Sequence, residues 1–524
     1  MNRKPRDSAP LLPEMEAESP RTAPDSSLLR ILKYNFSGQL LGRLFTFFIN
    51  VYLIRYVDGN IVGLVNVRLY LLYATSVFLS VEPLRKLCLG KQLSIADAVK
   101  YAWLAPVISV VVSFVLAVVW SFLPVQEVVS AAEYRVLLRC FAVAAVVECC
   151  GEPLAILSQK SGRHGLFAFA QSALLVSNKF VAIVLILAGV DAITALAAGQ
   201  VLGTVVYAGI FYATFVHIGA SLDFSPWFSL LPDYKWAEMR MLGTILFHSV
   251  QKQLITEGAG YVMTFTQQLS FTEQAVYDTV DKLGSLVVRI VLRPLEESCA
   301  LHFAGHFDRS ATPAVPERLG QQFLAICRWL ITLGTVIAIF SIPYSSIVVQ
   351  IYGGSLLSEN KGGLLLSMYT FNLLVMAING IVECFAFASM NNAAIFAHGK
   401  FLLVASAAHL ATNILLLRLM GAPGFIVANI LNVVLRIVYN WRYIKSLRNT
   451  QKLHFVEVLP DFTFVGSLLV ALLVMGLSGV IFASTPGLIH TGAHIAVGAV
   501  MFLVIVAHLY QKGELFQRLW EKLD

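Results

Sequence analysis

Charge is what this sequence has little of. Only 13% of its 524 residues are Asp, Glu, Lys or Arg, against about a quarter in a soluble globular chain, so a soluble core could not be covered. Cysteine in metal-binding spacing is missing too. Cys88, Cys140, Cys149, Cys150, Cys299, Cys327 and Cys384 all lie in or beside apolar segments. They read as small buried hydrophobes, not as a disulfide framework or redox centre. There is no glycine-rich phosphate loop, no HExxH and no His/Cys cluster. Without a nucleotide-binding domain, any uphill transport has to draw on an ion gradient or a partner. The chain reads as a non-enzyme with no metal, no cofactor and no nucleic-acid partner. The polar, Pro- and Ser-rich start, 1–27, lacks the short apolar region of a signal peptide. It reads as a disordered tail, with the first apolar segment acting as its own insertion signal.

What is present is apolar: 57% of the residues are hydrophobic, in runs of the roughly 20 residues that cross a bilayer as a helix. The expected fold is an all-α polytopic membrane protein of fourteen spans, at 34–55, 59–83, 101–123, 136–156, 166–189, 191–217, 241–264, 276–303, 321–343, 363–388, 398–418, 423–444, 461–484 and 490–510. Lys and Arg concentrate before span 1, after spans 2, 4 and 12, and after span 14. The alternate loops "VQEVVSA" and "TPGLIHTG" contain neither. The positive-inside rule then places both termini in the cytosol. Asn35 opens the only glycosylation sequon and, at the start of a span, is expected to be unused.

A weak repeat runs through the chain. "VEPLRK" ends span 2 and "LRPLEE" lies late in span 8, putting Pro83 and Pro294 211 positions apart. "VEC" occurs in span 4 and again in span 10, 235 positions apart. Both pairs connect span n with span n+6. An even number of spans per repeat gives two halves of the same orientation, related by an axis along the membrane normal, with a substrate site between them. The expected divisions are 28–220 (spans 1–6), 236–448 (spans 7–12), 461–511 (spans 13 and 14) and a cytosolic tail at 512–524.

Charges inside spans fall into stripes. At 100° per residue, Asp278, Lys282, Arg289, Arg293 and Glu296 lie within about 80° of one another on span 8. Asn372, Asn379 and Glu383 share a face of span 10, Glu148 and Glu152 a face of span 4, Gln39, Arg43 and Asn50 a face of span 1, and Arg68 and Glu82 a face of span 2. Span 7 adds His248 and Lys252. A charge at mid-bilayer costs at least about 2.5–3.5 kcal/mol, so these faces must meet protein or water. Either the carboxylates and cations clamp helices together, or they line a wet cavity and meet a substrate. Arg43, Arg68, Lys252 and Arg289, four cations on four spans, exceed what one clamp requires and read as contacts to an anionic substrate, a phosphate or diphosphate. Glu82, Pro83, Glu148, Glu152, Arg293, Pro294, Glu296, Glu297, Asn379 and Glu383 read as structural or gating residues. Glu296 and Glu297 would hold span 8 to its neighbours, and Pro83 and Pro294 would kink two helices beside one cytosolic opening.

Five stretches carry a resemblance: "IVGLVNVRLYLLYATSVFL" (61–79), "KQLITEGAGYVMTF" (252–265), "LGSLVVRIVLRPLEES" (283–298), "AINGIVECFAFASM" (377–390) and "AHIAVGA" (493–499). Together they resemble the Rft family of endoplasmic reticulum proteins, within the superfamily of multidrug exporters and bacterial lipid flippases. The resemblance implies two six-helix lobes with two added C-terminal helices. It also implies a dolichol-diphosphate oligosaccharide moved from the cytosolic to the luminal leaflet for N-glycosylation. It points to Arg68, to Lys252 through Glu257, and to Glu296 and Glu297. Arg293 departs from it, since family members often have Gln there. An accessory protein that binds or channels the same lipid stays open as an alternative. A multidrug-type cation antiporter is disfavoured by the basic cavity, and protein partners are not specified.

Overall fold

The computed structural model describes residues 48–90, 93–125, 128–218, 235–307, 315–449, 454–483 and 487–511. Among these the chain is helical throughout, with no β-strand. Among the described residues, eleven helices are long and apolar enough to cross a membrane: Gly59–Cys88, Ile95–Ser121, Ala131–Lys160, His164–Leu187, Ala192–His217, Glu317–Glu359, Gly362–Ser389, Ala393–Met420, Pro423–Ser446, Phe462–Phe482 and Ile489–Gln511. They correspond to spans 2–6 and 9–14, and make the chain a multi-pass membrane protein. Span 1 is described only from residue 48, where its last turns are helical. Arg43 and Gln39 lie outside the described residues, as do the tails 1–27 and 512–524.

Spans 7 and 8 are helical but differ in kind from the eleven. Span 7 is two helices, Trp236–Thr256 and Gly258–Thr266, broken at Glu257, whose φ of −103° and ψ of 17° are not helical. Span 8 starts earlier than its apolar run, at Phe271, because Ser270 and Glu273 form a capping box. It passes through a π-helical turn, Val288–Leu292, and continues as Arg293–Ala304. The wide turn comes just ahead of Pro294, whose ring would otherwise press on the carbonyl four residues back. Span 9 continues well past the expected 343 as far as Gly354, whose φ of +58° suits glycine and breaks the helix, and a short second piece runs on to Glu359.

Span 2 also contains a π-helical turn, at Leu64–Leu69. Moved along by the 211-residue offset, that turn falls on regular α-helix in span 8. The repeat therefore does not extend to the positions of the wide turns. Pro83 stays inside the helix Tyr70–Cys88. Ser76 and Ser80 hydroxyls donate to the carbonyls of Leu72 (2.9 Å) and Ser76 (2.7 Å), back-bonds that bend helices gently.

Several apolar cores pack these helices, and one of them joins spans 1 and 2 to later spans through Ile54, Val67, Tyr277, Tyr352 and Phe425. Spans 2, 3, 4 and 6 enclose one core that includes Leu72, Trp120, Phe141 and Leu196. Spans 8, 9, 10 and 12 enclose another around Phe303, Phe323, Phe385 and Ile444. Spans 5 and 6 form the tight hairpin expected from "GVDA": the Asp191 carboxylate accepts from the Ile193 amide (3.1 Å). A Cβ on Gly199 would lie 2.5 Å from the Asn178 carbonyl oxygen, the close approach that small residues permit between membrane helices. Spans 13 and 14 dock on span 9: Phe464, Leu468 and Met475 pack on Val336, and Tyr344 stacks on His494 at 4.5 Å.

Candidate translocation seam

The two halves meet where spans 2 and 8 begin. A Cβ on Gly63 would lie 1.9 Å from the Phe271 carbonyl oxygen, so only glycine fits this contact. The Thr272 hydroxyl donates to the Asn60 side-chain oxygen at 2.9 Å. Beside it, the Arg55 guanidinium, at the end of span 1, donates to the Gln350 carbonyl (3.1 Å) and the Ile351 carbonyl of span 9. Further along, the second half of span 2 packs on span 7, through Val81, Leu84 and Leu87 against Leu242 and partly buried Met239 and Ile245. The second part of span 8 packs instead on span 10.

Arg68 belongs to this junction. It is 1% exposed. Its Nη1 donates to the Pro124 carbonyl at 2.8 Å, and its guanidinium sits 4.7 Å from the Phe271 ring centroid. Its own carbonyl, in the wide π turn, accepts from the Trp120 indole N–H at 3.1 Å. In this conformation the Arg68 side chain packs span 2 to spans 3 and 8, and its Nε is buried without a hydrogen-bond partner. The signal missed was the π turn, which shifts the helical face from the 100° register.

Lys252 does bridge the halves. Its ammonium lies 3.0 Å from Glu82 Oε1 and 5.5 Å from the Phe78 centroid, while Lys86 reaches the same carboxylate oxygen at 3.2 Å. One carboxylate thus serves two cations, and Lys252 is half exposed. Glu257 sits at the break in span 7, partly buried.

Each half has its own carboxylate clamp, buried in the first and partly buried in the second. In the first, Glu152, 0% exposed, accepts Arg85 Nε at 2.9 Å and Nη2 at 2.5 Å, and the Tyr207 hydroxyl at 2.9 Å. Glu148, one turn earlier, accepts the Tyr73 hydroxyl. In the second, Glu383 accepts Arg436 Nη2 at 2.5 Å and Asn379 Nδ2 at 3.0 Å, with His398 Nε2 3.7 Å away. The repeat-related Glu148 and Glu383 are thus both tied down, but by different partners. Arg85 and Arg436 escaped sequence reading. Arg85 was counted with the cytosolic loop, although its helix continues to Cys88. Arg436 is a single cation within an apolar span.

Span 8 is only partly the clamp expected of it. Glu296 rests on span 10: a Cβ on Gly380 would lie 2.0 Å from its Oε1. Glu297 and Arg293 are exposed, and neither makes a salt bridge among the described residues. Of the two glutamates expected to hold span 8 to its neighbours, Glu296 lies against span 10 and Glu297 faces outward in this conformation. The Arg289 backbone lies in the π turn; its side chain lies outside the described residues.

The stripe's first part meets spans 2 and 10. Lys282 donates to Asp278 at 2.7 Å and its ammonium sits 5.7 Å from the Tyr70 centroid of span 2. The Tyr369 hydroxyl of span 10 donates to Asp281 at 3.0 Å. Opposite, the Thr75 and Tyr261 hydroxyls pair at 2.7 Å. A polar lining of amphipathic tyrosines and paired charges between two apolar helix groups can hold a headgroup away from the hydrocarbon.

Comparison with known proteins places this architecture. The sequence profile of the Rft-1 family, described as Rft protein, matches residues 27–522. The chain is 38% identical over 515 residues to the Man(5)GlcNAc(2)-PP-dolichol translocation protein RFT1 of Caenorhabditis elegans, covering 94% of this chain and 97% of that one. It is 33% identical to the protein of the same name from Xenopus tropicalis, covering 91% and 93%. Among solved structures it is similar in fold to the lipid II flippase MurJ in an inward closed conformation (TM-score 0.60, 12% identity, covering 91% of this chain and 99% of that one). It is also similar to a MATE family multidrug resistance transporter in an inward-facing conformation (TM-score 0.57, 11% identity, covering 78% and 97%). The fold is that of this transporter class, and by profile and full-length identity the chain belongs to the Rft family.

Proposed function

We propose that this protein moves a dolichol-diphosphate-linked oligosaccharide, of the Man(5)GlcNAc(2) kind that its relatives are named for, from the cytosolic to the luminal leaflet of the endoplasmic reticulum membrane. The observation that carries this reading is the end-to-end match to translocation proteins of that name. The polar seam between two helix groups supports it, because a charged sugar headgroup needs a path out of hydrocarbon.

In this reading the chain has fourteen spans: the eleven apolar helices, the broken span 7, the polar span 8, and a first span ending near residue 56. Spans 1–6 and 7–12 form two lobes, with spans 13 and 14 added. Basic loops and both termini face the cytosol, which puts the Gly63–Phe271 junction on the luminal side. The lipid then enters from the cytosolic side of the seam, and the junction must part for the headgroup to leave. The polyprenyl chain stays in the bilayer throughout.

The test uses purified full-length protein in vesicles containing labelled Man(5)GlcNAc(2)-diphosphate-dolichol, with accessibility of the sugar followed from one side. Transfer faster than in protein-free vesicles supports the reading. Binding without transfer would assign the accessory role, and neither would remove the lipid as ligand.

A further inference from the structure

Span 9 breaks at Gly354, where φ of +58° and ψ of −142° turn the chain off the helical path. Carbonyls ahead of such a break are left short of the donors that a continuing helix would supply. The missing donor comes from the far end of the sequence. Arg55, in the last turn of span 1, donates through Nη2 to the Gln350 carbonyl at 3.1 Å and to the Ile351 carbonyl. A guanidinium suits this place. It offers several donors in one plane, and its charge sits at the negative end of a helix dipole.

The backbone around the contact is closely fitted. Ile54 shares one buried core with Val349, Tyr352 and Leu357. A Cβ on Gly353 would lie 3.2 Å from Ile54 Cγ2, and one on Gly59 would lie 2.4 Å from Leu356 Cδ1. The segment 54–59, which leads from span 1 into span 2, thus lies along 349–357 of span 9. Arg55 itself stays exposed and makes no salt bridge among the described residues. The carboxylate nearest in sequence, Asp58, is used elsewhere: it caps span 2 by accepting from the Asn60 amide at 2.8 Å. A charged donor resting on neutral carbonyls at an exposed position is strong enough to bias a contact between two helices and weak enough to let go.

We propose that Arg55 is a latch: by capping the broken end of span 9 it holds spans 1 and 9 together beside the Asn60–Thr272 contact, and it lets go when that junction parts. Arg55 is a positioning residue in this account. The inference rests on the proposed translocation reading for the parting of the junction as the functional step, whereas the latch itself rests on the break in span 9 and the two hydrogen bonds that cap it.

The test labels the full-length protein in nanodiscs with a water-soluble maleimide, one added cysteine at a time. Asn60→Cys reports on the junction. Lys86→Cys reports on the other end of span 2, where Lys86 stands beside Lys252 of span 7 on a shared Glu82 oxygen. Protein without the added cysteine gives the background. Each probe is combined with Arg55→Gln, with Arg55→Lys and, as control, with Arg139→Gln, an exposed cation bonded within its own helix; unfolding temperature verifies that each is folded. Arg55→Gln should label at least about fivefold faster at Asn60→Cys and no faster at Lys86→Cys, because it adds to a minor junction-open population without loosening the far end. Arg55→Lys keeps one charged donor and should stay within about twofold of native at both, and Arg139→Gln should change neither. Native labelling at Asn60→Cys in folded Arg55→Gln would overturn the latch. So would faster labelling at both ends, which marks a general loosening. No lipid substrate is needed, so the expected pattern in a protein that transfers no lipid would keep the latch and overturn the transport reading alone.

Discussion

Arg85 grips Glu152 through two parallel hydrogen bonds, of 2.9 and 2.5 Å, and Glu152 is completely buried. Tyr207 occupies the carboxylate from a third helix. The pair ties spans 2, 4 and 6 together beside the seam. Its value lies in what its loss would leave behind: a buried charge with one partner removed costs about 3–5 kcal/mol. Arg85→Ala should therefore lower the unfolding temperature of the purified protein markedly. Arg85→Ala with Glu152→Gln should recover part of the loss, because the stranded charge is gone. Equal destabilisation by the single and double variants would contradict the clamp.

Arg68→Ala should destabilise rather than merely weaken substrate binding. It removes a charged hydrogen bond to Pro124 and a cation–π contact with Phe271, together about 2–4 kcal/mol. Lysine cannot make both contacts with one ammonium, so Arg68→Lys should rescue poorly. Thermal unfolding and protein level in cells give the readout. Native stability in Arg68→Ala would return the residue to a role in ligand contact.

Gly63→Ala should force spans 2 and 8 apart, since the added methyl would lie 1.9 Å from a backbone oxygen that has no side-chain freedom. Alkylation of a cysteine placed at Asn60 should become faster in that variant. Unchanged alkylation would mean that the contact relaxes without separating the helices.

Glu383→Gln should be milder than Glu383→Lys. Glutamine still accepts from Asn379 and Arg436, whereas lysine sets a second cation beside Arg436. N-glycosylation in cells lacking the native protein, with protein level alongside, compares the two. Equal loss from both would show that the carboxylate charge itself is required.

Lys252→Ala should change stability by no more than about 1 kcal/mol, because the lysine is half exposed and Glu82 keeps Lys86 as a partner. A larger fall in unfolding temperature would show that this bridge holds the halves together.

Much of this was readable in the sequence, and the failures have physical causes. Long apolar runs gave the helices, since a bilayer leaves backbone polar groups no alternative. The polar face of span 10 was legible because Asn379 and Glu383 are one regular turn apart. The packing of Arg68 was not legible because hydropathy does not show the π turn that holds it in the junction. Glu297 misled because adjacent residues on a helix point 100° apart, so Glu296 can rest on Gly380 while its neighbour faces out. Arg436 was passed over because it is a single charge in an apolar run, and only its partner Glu383 across space reveals what it does. The extra length of span 9 was hidden by Pro343, which sits inside the helix without ending it.

The central claim is that headgroups cross when the Asn60–Thr272 junction parts. The direct measurement is transfer of labelled Man(5)GlcNAc(2)-diphosphate-dolichol in vesicles by protein carrying Asn60→Cys and Thr272→Cys, before and after oxidation, with the native protein oxidised in parallel. The account predicts transfer when the pair is reduced, arrest when it is cross-linked, recovery on reduction, and no effect of oxidant on the native protein. Undiminished transfer by the cross-linked protein would contradict it.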